Sequence, residues 1–152
     1  MRDILLRRDG TRTWALIFDK GDEVVSELER FARDGGLTGS HFTAVGAFER
    51  VTLGYFDRDR KDFLQIPIRE QVEVLSLVGD IALKGIEPKA HAHVVVGRQD
   101  GTTRGGHLIE ASVWPTLEVV LTDEPEELRR VHDEETGLAL IEAARAAAER
   151  VR

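Results

Sequence analysis

His91, His93 and His107 are the residues of this chain whose type and spacing could do chemistry. Neutral imidazoles suit Zn²⁺, and also Fe, Ni or Cu. Alternate residues of a strand project from one face. His91 and His93 therefore point the same way, with Ala92 opposite. Whether His107 joins them depends on the register of a hairpin. A two-residue Asp100-Gly101 turn would set His93 opposite Leu108 and send His107 to the other face. A three-residue loop, Gln99-Asp100-Gly101, sets His93 opposite His107. The second choice fits the residues better, because a type I turn followed by glycine in the left-handed region is the usual three-residue hairpin loop. Directly opposed side chains have Cβ atoms about 4.5–5.5 Å apart. Imidazoles on them can converge on a metal with bonds near ~2.0–2.1 Å. Gly105-Gly106, just before His107, could instead form a bulge that shifts the pairing, or let the backbone approach a ligand.

Three protein ligands leave a coordination position open, which marks a catalytic or ligand-binding metal and not a structural one. Water held there can ionise near neutral pH. The residues alone leave another reading open, a polar sheet face or a subunit contact. With five histidines in the chain, an i, i+2 pair arises by chance in roughly one such sequence in eight.

Two carboxylates are candidate proton handlers. Glu118 lies in an apolar strand between Leu117 and Val119. It could accept from a ligating imidazole or act as a general base; an outward charge that blocks edge aggregation explains it equally well. Glu73 carries the same two readings. Glu110 is near His107 in sequence, but the glycines leave its face open. His41 and His132 read as surface or interface residues, and Trp114-Pro115 as a turn or a packing element. The glycine-rich stretches carry no P-loop or dinucleotide pattern, and there is no serine nucleophile elbow.

The elements that must position these residues follow from periodicity. Asp3 to Arg8 and Thr13 to Asp19 are apolar stretches around an Arg8-Asp9-Gly10-Thr11 turn, which predicts a hairpin. Asp22 is the expected N-cap of a helix whose apolar face is Val24, Val25, Leu28, Phe31 and Ala32, ended by Gly35-Gly36. Strands are predicted for His41 to Ala47, Glu49 to Phe56, Phe63 to Ile68, Val72 to Leu83 and His91 to Gly97. Leu108 to Val113 and Thr116 to Thr122 are two more, split by Trp114-Pro115. Pro125 to Arg130 reads as a short helix, and the Ala-, Leu- and Glu-rich Thr136 to Val151 as a C-terminal one. The predicted class is α/β in the broad sense (α+β), a mostly antiparallel central sheet with flanking helices.

The 152 residues are expected to form one domain, 1–152, with 41% hydrophobic residues for its core. No apolar run approaches the ~20 residues of a membrane span, and the start lacks the pattern of a signal peptide. With no cysteine there is no disulfide framework and no thiolate metal site. A cytoplasmic location is expected. The net charge is −7, and basic clusters such as Arg58-Asp59-Arg60-Lys61 are broken by acids. That balance argues against tight, autonomous binding to nucleic acid.

The histidine segment also carries a resemblance. His91-Ala92-His93, followed by Gly101 and Gly105-Gly106-His107, resembles the PPC (plants and prokaryotes conserved) domain. Val45-Gly46-Ala47 before Leu53-Gly54-Tyr55-Phe56-Asp57 is similar to its early strands, and Val72 to Asp80 to its central strand. Pro115-Thr116-Leu117-Glu118-Val119, Leu128-Arg129-Arg130, Asp133 and Thr136-Gly137 are similar to its end. The match runs in order from about Leu5 to Ile141. The resemblance implies a homotrimer and a metal site on His91, His93 and His107 with zinc or another divalent transition metal; the open coordination position is expected to hold a small molecule or anion. It implies a fold relationship to acetolactate decarboxylase, a zinc enzyme that also uses three histidines. The alternative it implies is a DNA-associated regulatory scaffold. Plant members join the domain to AT-hooks, of which this chain has none, and the plant Gly-Arg-Phe-Glu-Ile-Leu motif is reduced here to Glu73-Val74-Leu75 within Glu70 to Leu75.

Overall fold

The computed structural model describes residues 1–7, 10–124 and 126–142. Its centre is two long strands, β3 (Gly39–Asp57) and β7 (Thr103–Asp123), paired antiparallel along most of their length. Each was expected as two shorter strands. The expected gaps at Phe48 and at Trp114-Pro115 are absorbed by the pairing as register shifts between Gly46 and Arg50 of β3. A proline that cannot donate is tolerated at such an irregularity.

The other strands add around this pair. β1 (Arg2–Arg7) and β2 (Thr13–Phe18) form the expected N-terminal hairpin, and β2 lies against β7. β4 (Asp62–Ile68) folds back on the second half of β3, and β5 (Val72–Lys84) on the first half. β6 (Glu87–Gly97) pairs with β5 on one side and with the start of β7 on the other. Since β7 returns to β3, the strands β3, β5, β6 and β7 close a ring. Its inward positions alternate with outward ones, as the pleat requires. Leu53, Leu77, Val94, Val96 and Leu108 are buried in the core cluster.

The helix α1 (Val24–Gly35) covers the same apolar face of the sheet with Val24, Leu28 and Ala32. Gly36, in the left-handed conformation, ends it as expected. Its N-cap is Glu23 and not Asp22: the Glu23 carboxylate accepts from Val25 and Ser26 N–H. Asp22 instead accepts from Asp19 N–H and pairs with the N-terminal ammonium at 2.8 Å.

The expected flanking helices reduce to this one among the described residues. Where a helix over 125–130 was predicted, Leu83 N–H donates to Leu128 O, and β8 (Arg129–His132) runs parallel to β5. Where the C-terminal helix was predicted, Ala139–Ile141 form β9, antiparallel to β8. The open edge of β5 gives these backbones partners, and tertiary pairing overrides local propensity. The remainder of that predicted helix, 143–151, lies outside the described residues. The result is an α+β fold with one nine-stranded mixed sheet. Among the described residues no helix is long and apolar enough to cross a membrane.

Candidate metal centre

The turn between β6 and β7 decides the site. Arg98 N–H donates to Thr102 O, and Gly101 N–H to Arg98 O. Gly101 is left-handed at φ 79°, and Asp100 Oδ1 accepts from both N–H and hydroxyl of Thr102. The loop is therefore Gln99-Asp100-Gly101, and the register pairs His93 directly with His107. Gly105 and Gly106 stay in register opposite Val95 and Val94. A Cβ on Gly106 would lie 2.8 Å from Gly54 O, so this glycine serves the close approach of β7 to β3.

His91, two residues from His93, joins the pair from the same face. One ligand nitrogen from each of the three imidazoles lies within 4.8 Å of the others. The ring centroids are 5.1–5.5 Å apart. Tetrahedral bonds of ~2.0–2.1 Å would bring such nitrogens to roughly 3.3–3.4 Å. The donor set fits a divalent transition metal: all nitrogen, borderline in softness, and with no competing ring of carboxylates.

The surroundings favour the neutral form of two of the donors, His93 and His107. Burial is the main reason His107 falls from the ordinary histidine value to about 4; the neighbouring His91 and His93 and the guanidinium of Arg130 add to it. His93 is lowered by burial and then by His91. Phe63 stacks on His107. An imidazole must be neutral to ligate, and these two are held so.

Two further residues stand at the site that sequence reasoning missed. Asp80 is opposite His91 in the β5–β6 register, and its Oδ2 is 3.6 Å from His91 Nδ1. Arg130, delivered by β8, places Nη2 2.5 Å from Asp80 Oδ1 and 3.3 Å from His91 Nδ1. Burial would raise the Asp80 carboxyl, but the neighbouring His91 imidazole and the hydrogen bond from Arg130 outweigh it and hold it below the usual range. Asp80 was visible only as part of an apolar strand, and Arg130 sat in a predicted helix. Cross-strand register was the missing information.

The structure does not bring Glu73 or Glu118 to the histidines. Glu73 pairs with Gly97, four residues along β6 from His93, or about 13 Å at strand rise. Glu118 pairs with Val45, nine residues along β3 from Gly54, the partner of His107. Glu110 shares a sheet face with His107 but accepts from the Thr52 hydroxyl at 2.9 Å. His41 is exposed and paired with Glu124, and His132 is exposed near Glu134.

Fold and site together define an α+β protein with a three-histidine cluster able to coordinate a divalent metal. The Plants and Prokaryotes Conserved (PCC) domain matches residues 7–125, and the chain belongs to that family. No curated protein matches it. Among solved structures, it is similar to a plant- and prokaryote-conserved (PPC) protein of Pyrococcus horikoshii, at 30% identity over 93% of this chain and 95% of that one, with TM-score 0.82. It is similar to a metal-containing protein from Archaeoglobus fulgidus, at 31% identity over 93% and 97%, with TM-score 0.81. A protein from Ralstonia eutropha, named as a candidate for DNA binding, is 30% identical over 86% and 90%, with TM-score 0.81.

Proposed function

We propose that this protein is a homotrimer that holds a divalent metal, with zinc the leading ion, on His91, His93 and His107, and that the open coordination position takes a small anionic ligand or substrate. The convergence of three imidazoles from one hairpin carries this reading. The A. fulgidus relative's description as metal-containing supports it. An ion there supplies Lewis acidity to one further ligand. Reactions of a hydrolase or lyase type suit such a site. Acetolactate decarboxylase is an analogy for zinc on three histidines and transfers no activity.

The trimer has its own support. Val45, Val78, Val95 and Val120 are 41–57% exposed, on the sheet face turned away from α1. Val78 lies directly opposite His93. An apolar strip of this kind suits an interface between copies.

Metal analysis of protein purified without a histidine tag tests the reading. The expected result is one zinc per chain, lost in His93→Ala while the trimer persists. No uptake at equilibrium with micromolar zinc overturns it. The alternative, a DNA-associated trimeric scaffold, draws on the description of the R. eutropha relative. It predicts DNA affinity that falls steeply with salt; undetectable binding at low salt, as the −7 charge suggests, removes direct phosphate contact.

A further inference from the structure

We infer that Asp80 and Arg130 are positioning residues for His91: Asp80 accepts the proton on His91 Nδ1, Arg130 locks Asp80 in place, and Nε2 is thereby presented to the metal. The inference rests on the metal reading above and adds residues to it.

The geometry at Nδ1 carries the argument. Two groups face that nitrogen, Asp80 Oδ2 at 3.6 Å and Arg130 Nη2 at 3.3 Å. A ring whose Nδ1 is turned to this pair has Nε2 left to offer to His93 and His107. An imidazole that ligates through Nε2 must carry its proton on Nδ1, and that proton needs an acceptor. Arginine is a donor only, so with the proton on Nδ1 the 3.3 Å approach of Arg130 Nη2 is a close contact and not a hydrogen bond. Asp80 is the acceptor within reach, and a small ring rotation shortens 3.6 Å to a hydrogen bond.

Arg130 is built in, not draped over. Its side chain is only 10% exposed. Nη2 binds Asp80 Oδ1 at 2.5 Å, and Nη1 donates to Ala139 O at 3.2 Å. A buried, hydrogen-bonded ion pair is a rigid support, because removing either partner strands a charge. It also explains why the chain spends a parallel strand on the edge of β5. Lys84 pairs with Arg130 there, and this register sets the guanidinium over Asp80. Asp80 and His91 in turn face each other across β5 and β6. The orientation of one ligand is thus fixed from two strands.

Cobalt binding separates this role from mere structural support. Co²⁺ reports its ligands through visible absorption, and its affinity can be titrated without knowing any substrate. Wild type, Asp80→Asn, Asp80→Glu and Arg130→Lys are compared with Asp123→Asn, which breaks a similar ion pair to Arg12 far from the histidines. Asp80→Asn should weaken Co²⁺ binding roughly 10–100-fold and alter the visible bands. Asp80→Glu should recover part of the loss, and Arg130→Lys should fall between. Asp123→Asn should bind as wild type. Thermal melts with chelator present measure the stability cost separately, and Asp80→Asn is expected below Asp123→Asn because the stranded Arg130 is 10% exposed and Arg12 41%. Wild-type uptake with Asp80→Asn unchanged in affinity and bands overturns the positioning role and leaves the metal reading standing. Loss that Asp123→Asn reproduces, or that follows the melting temperature alone, also overturns it. Wild-type protein that takes up no cobalt overturns the metal reading, and this inference with it.

Discussion

The ring of Phe63 stacks on His107, with centroids 4.6 Å apart and planes inclined by 27°. Phe63 comes from β4, a strand with no ligand of its own. It shields one face of the imidazole from water. Burial is the main cause of the low His107 pKa, so opening that face should raise it. Phe63→Ala is expected to move the His107 titration up from about 4 toward the ordinary ~6.5. Imidazole NMR titration with chelator present measures this. An unmoved midpoint would show that the neighbouring positive charges, and not the aromatic cover, set the value.

The same shift predicts how stability depends on pH. An unfolded histidine protonates near ~6.5, while folded His107 resists until about 4. Between those values the unfolded chain binds the extra proton, so stability falls as pH falls. The loss is complete below about 4 and absent above ~6.5. Asp80 continues the trend: its folded value lies below the usual 3.8, so its contribution is present above that pH and fades below it. Urea unfolding from pH 7 to 4 should show a declining midpoint. His107→Gln should flatten the slope, and an equal slope in both proteins would contradict this account.

Gly106 and Gly105 give a paired test of packing beside the ligand. A methyl on Gly106 would meet Gly54 O at 2.8 Å, whereas one on Gly105 would meet Val94 O at 3.3 Å. Backbone carbonyls in a sheet cannot swing aside. Gly106→Ala should cost about 1–3 kcal/mol and weaken metal uptake through displacement of His107. Gly105→Ala should cost less. Chemical denaturation of the two variants measures the difference, and equal losses would contradict the close approach.

Glu23 does double duty. It accepts from Val25 and Ser26 N–H at the start of α1, and from Ala111 N–H in β7. Glu23→Ala should therefore cost about 1–2 kcal/mol, the upper part of the range for a lost cap. Asp22→Asn, which keeps an acceptor for Asp19 N–H and loses the charge facing the terminal ammonium, should cost less. Urea midpoints of the two variants rank them, and the reverse order would restore Asp22 as the cap.

The contrast between these two acids shows where sequence reasoning succeeds. The helix, its apolar face and its Gly36 ending were legible because they are local. The cap was displaced by one residue because Glu23 is also held by Ala111, 88 positions away. The β6–β7 register was legible for the same local reason: Asp100 and Gly101 fix a three-residue loop, and the loop fixes His93 against His107. The continuity of β3 and β7 was not, since the chain around Phe48 and Trp114-Pro115 reads as interrupted until a partner strand absorbs the irregularity. Nor were Asp80 and Arg130, which meet only because β8 takes the edge of β5.

The strip of Val45, Val78, Val95 and Val120 gives the last prediction. Thr43 lies opposite both Val78 and Val120, so these valines form a band across neighbouring strands. The helix covers the other face, and in one protomer nothing among the described residues covers this one. If the band is the trimer interface, charge placed on it must be desolvated on assembly. Val45→Lys with Val120→Lys is a suitable pair. Glu118 faces Val45, so the new lysine has a partner in the free protomer and the fold is spared. Dissociation should become at least about 100-fold easier, the scale of truncating an interface hot spot. Sedimentation should then show a trimer for wild type and a protomer for the variant, with unchanged circular dichroism. A variant that stays trimeric places the interface elsewhere, and a monomeric wild type removes the trimer from the proposed function. The valines border His93, so cobalt affinity of the dissociated variant adds one more measurement. Retained affinity means the three histidines of one chain suffice, as their convergence on a single hairpin predicts.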